Sequence, residues 1–173
     1  SLSGAAITAL NKGVALAGAM HNTGEGGLST YHRSGGDLIL QIGTGYFGCR
    51  DEDGHFDLDK LVTVVESAPV RAIEIKLSQG AKPGLGGVLP GSKVTAEIAA
   101  ARGVPEGQTC ISPASHSAFT TPRELIRFVA RLRELSGGKP AGFKLCVGSR
   151  TEFLAIVKAM VETNILPDFI IVD

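Results

Sequence analysis

The sequence predicts an α/β fold built on a parallel β-sheet, and two observations carry that expectation. Segments with helical spacing of apolar residues alternate along the chain with short apolar runs that lack it, the pattern of βαβ units. Two of the helical segments also carry start signals at single-residue resolution. From the amino terminus, a helix is expected over 3–18, opening at the N-cap Ser3 and closing at Gly18. The run LILQI at 38–42 is the first strand, followed by a helix over 58–67 and a strand over 70–77. A helix over 93–102 and a strand over 109–111 come next. Thr121-Pro122-Arg123-Glu124 is a capping box with proline at the first helical position. Leu125, Phe128, Val129, Leu132 and Leu135 then mark one face of this helix until Gly137-Gly138 ends it. A strand over 142–147 leads to a second capping box, Ser149-Arg150-Thr151-Glu152. Phe153, Ile156, Val157, Met160 and Val161 follow it, and a buried strand is expected over 168–172.

A chain of 173 residues is one domain by length. A (β/α)8 barrel takes about 250 residues, so length alone favours a doubly wound open sheet. The ends argue otherwise: the strand at 168–172 has no helix after it to cover it, and the chain opens at a helix cap. The expectation is a piece of a longer α/β chain. Seventeen basic and seventeen acidic residues leave no net charge, which excludes a protein driven onto nucleic acid by counterion release. No apolar run approaches a membrane span, and the start lacks a signal-peptide pattern. Three cysteines without metal-ligand spacing read as reduced thiols of a cytoplasmic protein, with no metal site. The unusual number is 23 glycines, about twice the average share, fourteen of them between residues 22 and 91.

Those glycines fall in loops. Gly43-Thr44-Gly45-Tyr46-Phe47-Gly48 matches GxGxxG after a strand, but a polar turn follows where a dinucleotide fold needs a helix. It reads as a tight loop. GGVLPGSK at 86–93 has the Walker order reversed, so an NTPase is not expected. The longer stretch QGAKPGLGG at 79–87 is a glycine-rich loop bearing Lys82, placed after a strand where ligands bind. NTGEGG at 22–27 is a second such loop, whose Glu25 is either a catalytic acid or a solvated turn residue. Lys144 interrupts an apolar strand, so it must be paired or face a ligand cavity. Lys76 is similar, with Glu74 two residues away on its own face as a candidate partner. Gln41 is a third polar residue in an apolar strand. His116, in the loop SPASH after 109–111, is either poised over a site or packed within its loop.

Taken in order, NTGEGG, QIGTGYFG, QGAKPGLGGVLPGSKV, ISPASH and FKL resemble the FMN-binding barrel domain of the glutamate synthase family, through nearly the whole chain. The resemblance implies a (β/α)8 barrel, truncated at both ends to about five or six βα units. It implies FMN as cofactor and reduction of the imine of 2-oxoglutarate to glutamate by hydride from flavin N5, in glutamate biosynthesis and nitrogen assimilation. Lys82, Glu25 and His116 match positions at the reaction site. Gln41, its loop neighbour Gly45, Lys76 and Lys144 are matched to the flavin ring, where a lysine would stabilise charge on the reduced cofactor. The sequence departs from the family pattern at Leu85, Val88, Ser117 and His21, where that pattern has glutamate, glutamine, histidine and serine. A relative with another substrate, resembling N-methylglutamate synthase, is therefore an alternative, as is a non-catalytic α/β module binding a small anion. The family's iron–sulfur cluster, FMN-phosphate loop, electron donor and glutaminase unit are expected outside this segment. Such a fragment is expected to be inactive alone and able to self-associate through open sheet edges.

Overall fold

Helix α1 (Gly4–Ala17) opens where Ser3 Oγ accepts the Ala6 N–H at 3.3 Å and closes at Gly18, whose φ of 63° ends the helical path. The computed structural model describes residues 2–81 and 86–173. Strand β1 (Met20–Asn22) follows, then β2 (Asp37–Ile42), α2 (Leu58–Glu66) and β3 (Val70–Lys76). Strand β4 (Val88–Leu89), α3 (Ala96–Arg102) and β5 (Cys110–Ile111) come next, then α4 (Pro122–Leu135), β6 (Ala141–Leu145), α5 (Arg150–Thr163) and β7 (Ile170–Val172).

Five strands form one parallel sheet in the order β1-β2-β3-β6-β7. Each new strand is added on the same side, so the strand order never reverses. A doubly wound sheet requires a reversal, and the length argument for that fold fails here. Period-two alternation sorts the side chains. Leu38, Leu40, Ile42, Ile73, Ile75, Phe143 and Leu145 meet Leu61 and Val65 of α2, Leu125, Ile126, Val129 and Leu132 of α4, and Met160 of α5 in one core. The opposite face, around which the sheet curls, carries Gln41, Ala72, Glu74, Lys76, Gly142 and Lys144.

Three local expectations are corrected. The run at 109–111 does not join the parallel sheet: β5 pairs antiparallel with β4 in a separate ribbon. That ribbon and α3 enclose a small core of their own around Phe47, Val94, Ala99 and Cys110. Thr121 and Glu124 make the full reciprocal capping box on α4, whereas Ser149 caps α5 by accepting the Glu152 N–H without the return contact. Ile170, Ile171 and Val172 of β7, expected buried, are 36%, 36% and 65% exposed. Among the described residues no helix is long and apolar enough to cross a membrane.

Candidate active site

In a parallel sheet all the carboxyl ends share one edge, and the loops leaving them converge there. Register arranges the polar residues of the curled face in two rows. Gln41, Glu74 and Gly142 lie side by side; Lys76 and Lys144 lie side by side one step nearer the carboxyl edge.

In the first row, Gln41 Nε2 donates to Glu74 Oε1, while Glu74 Oε2, fully buried, has no partner among the described residues. In the second row, Lys76 pairs with Glu25 Oε2 at 3.0 Å rather than with Glu74. Glu74 is one full strand repeat away and stands parallel to it, so the loop residue wins. Glu25 reaches across because residue 43 is glycine: a Cβ there would lie 2.8 Å from Glu25 Cβ. Lys144 pairs with Asp173 at 3.1 Å, and Asp173 also accepts the Gly80 N–H. Lys144 foremost, then Gly80, holds the Asp173 carboxyl below the usual carboxylate range.

His116 is 5% exposed and lies beneath this edge, stacked on Phe119. Its Nε2 faces the carbonyl oxygen of Lys76 at 2.9 Å and its Nδ1 the hydroxyl of Tyr46 at 3.0 Å. A carbonyl only accepts, so Nε2 carries the proton and Nδ1 accepts from Tyr46. The Tyr46 oxygen in turn accepts the Ala118 N–H at 3.1 Å. Burial pushes the His116 pKa down, more than Lys76 and Glu25 raise it. Tyr46, fully buried with φ of 46°, drew no notice in the sequence.

Gly45 lies in the β2 loop, where a Cβ would come 2.7 Å from the Phe47 ring. Lys82 and Leu85 lie outside the described residues. Val88 is 63% exposed on the ribbon. A cavity of about 330 Å³ opens over the edge between Gln41, Glu25 and Lys76 on one side and Arg102 on the other. Arg102 escaped the sequence reading, where it is only the basic last residue of a helix. Its guanidinium sits 4.5 Å above the Phe47 ring and has no ion-pair partner among the described residues. His21 and His32 line the same cavity with ring centroids 5.3 Å apart, and burial lowers both pKa values.

Residues 1–173 match the conserved region in glutamate synthase. The chain is 42% identical over 175 residues to the glutamate synthase large subunit-like protein YerD of Bacillus subtilis, covering 100% of this chain and 33% of that protein. It is 40% identical over 133 residues to the archaeal glutamate synthase (NADPH) of Methanocaldococcus jannaschii, covering 76% and 24%. A glutamate synthase large subunit-like protein of Rhizobium meliloti is 31% identical over 137 residues, covering 79% and 28%. The chain thus spans a third or less of the length of these relatives. Because the match runs from its first residue to its last, this chain belongs to the glutamate synthase family.

Proposed function

We propose that this chain supplies the catalytic face of an FMN-dependent oxidoreductase that reduces the imine of a 2-oxo dicarboxylic acid, such as 2-iminoglutarate, to the amino acid. The observation that carries this is the row of Lys76 and Lys144, two ammonium groups side by side at the carboxyl edge, each balanced by one carboxylate. Displacing either carboxylate leaves net positive charge facing the ligand, which suits a group that turns anionic as it reacts. FMN, when bound, supplies a hydride from N5 and takes up negative charge near N1 on reduction. The residues present fit such a ring: ammonium donors lie in one row, and Gln41, which lines the cavity, lies in the next.

In this reading Lys76, Lys144 and Gln41 hold the cofactor, and Gly45 keeps the β2 loop low beside it. Arg102, in no ion pair among the described residues and braced on Phe47, takes a substrate carboxylate. Glu25, which lines the cavity, and Lys82 handle the proton that the imine nitrogen needs. His116, with both ring nitrogens occupied, positions the Lys76 backbone. The one-way sheet is part of a (β/α)8 barrel completed by other parts of the protein, which also hold the FMN phosphate, the iron–sulfur cluster and the electron-donor and glutaminase units. An N-alkylated amine in place of ammonia is the second reading, favoured by apolar Val88 where the family pattern has glutamine.

The test uses the full-length protein loaded with FMN, reduced anaerobically with dithionite and mixed with 2-oxoglutarate plus ammonium or methylamine. Return of the oxidised flavin absorbance with ammonium is the expected result, and preference for methylamine establishes the second reading. A protein that retains no FMN refutes the flavin assignment. Retained FMN that neither mixture reoxidises refutes the reaction.

A further inference from the structure

The buried carboxylate of Glu74 belongs to no ion pair among the described residues. Its one hydrogen bond is from Gln41, and Oε2 is left bare at 0% side-chain exposure of the residue. The neighbours explain why. Lys76, on the same strand and face, is taken by Glu25. Across the sheet the row ends at Gly142, where a Cβ would lie 2.7 Å from the Phe169 ring, so an aromatic edge fills the space a donor would need. Among the described residues the Gln41 amide is thus the one group that the buried Glu74 side chain engages.

In the structure Gln41 Nε2 donates to Glu74 Oε1, the orientation that an ionised carboxylate requires. Nε2 points down the row to Glu74, and the opposite end of the amide, Oε1, has no partner among the described residues. That oxygen is not among the buried unpartnered atoms, and Gln41 lines the 330 Å³ cavity, so Oε1 faces the cavity. The main chain is pinned as well: the Gln41 N–H donates to Thr23 Oγ1 at 3.0 Å.

We infer that Glu74 is a positioning residue that locks Gln41 as a pure acceptor toward the cavity, so that the bound ring is selected for an N–H at that point. The inference rests on the flavin reading above. The oxidised isoalloxazine ring has one N–H, at N3, flanked by two carbonyls, and Gln41 Oε1 matches the N–H and repels the carbonyls. A ligand with that nitrogen methylated leaves a desolvated acceptor unpaired.

Apoprotein of the full-length enzyme is titrated with FMN and with 3-methyl-FMN, and binding is read from quenching of flavin fluorescence. Wild type is expected to bind the methylated ring about tenfold or more weakly, the size of one lost buried hydrogen bond. In Glu74→Gln the neighbour keeps its size but can donate as well as accept, so Gln41 is free to turn over. The preference then falls to roughly two- to threefold. Circular dichroism checks that the variant is folded; if it is not, Gln41→Met carries the test and is expected to abolish the preference. A Glu74→Gln or Gln41→Met protein that keeps the wild-type preference overturns the inference, as does a wild type that binds both flavins equally. A wild type that binds neither refutes the flavin reading itself.

Discussion

His116 Nε2 donates to the carbonyl oxygen of Lys76 across 2.9 Å, tying the loop before α4 to the last residue of β3. The ring must stay neutral to keep its Nδ1 bond from Tyr46, and burial holds its pKa below the ordinary value of 6.5. As pH falls below about 6.5, the unfolded chain gains a proton that the folded chain refuses. Stability is therefore full above that pH and is lost as pH falls toward the folded pKa. Burial shifts His21 and His32 the same way. The thermal midpoint is expected to be flat from about pH 8 to 7 and to drop below about 6.5, with a shallower drop in His116→Gln. Thermal scans by circular dichroism across that range check it, and an unchanged slope in the variant counts against this origin.

Tyr46→Phe removes one oxygen and strands the buried His116 Nδ1, along with the part-buried Ala118 N–H. The expected cost is about 1–3 kcal/mol, because the His116 nitrogen stays buried and unpaired while no packing is lost. Urea titration reads this as a lower midpoint at unchanged slope.

Asn11, 0% exposed on α1, accepts the Ser34 and Gly36 N–H groups at 2.9 and 3.0 Å and donates to the Gly36 carbonyl. Asn11→Leu keeps the bulk and leaves both amides unpaired. The expected destabilisation is about 2–4 kcal/mol, seen as early loss of amide protection in residues 34–36 by hydrogen exchange.

If Lys144 stabilises the reduced cofactor, Lys144→Met in the full-length protein lowers the two-electron flavin potential. Loss of a charged hydrogen bond of about 1.5–3 kcal/mol corresponds to roughly 30–60 mV. Lys144→Arg should recover most of it. A dye-coupled redox titration with no shift in the methionine variant removes Lys144 from this role.

Cys49 is buried, and burial, with Asp57 adding to it, pushes its thiol up to about 12; Cys146 is only half-buried. Iodoacetamide at about pH 8 is expected to label Cys146 in the native protein and Cys49 only after unfolding. Peptide mass spectrometry separates the sites.

Elements with strong local signals were legible. The Thr121 box, the cap at Ser3 and the apolar runs at 38–42, 70–77 and 142–147 each lie within a residue or two of the elements they predict. Strands of two or three residues, β1 and β4, carry no periodicity to read. For the same reason the run at 109–111 could not reveal that its partner is β4. At the candidate site, the oddity of polar and charged residues in apolar strands pointed to Lys76, Lys144 and Gln41. Their partners were not legible, because Glu25 and Asp173 come from 51 and 29 residues away in sequence and are brought close only by the register of the sheet. Tyr46 and Arg102 gave no signal: an aromatic in a glycine loop and a basic helix end are ordinary until the fold joins them to His116 and Phe47.

The ribbon of β4 and β5, with α3, packs on a small core and lies in the chain between β3 and β6, which pair directly with each other. Insertions or substitutions there need not disturb the parallel strands that carry Gln41, Lys76 and Lys144. Val88 and Arg102 sit on that excursion, which Phe47 and the Gly48 N–H tie to the β2 loop. On the proposed reading, the strands carry the groups that hold the cofactor and the excursion carries the group that takes the substrate. If that reading holds, substitutions in the excursion change the choice of substrate and leave the parallel strands as they are.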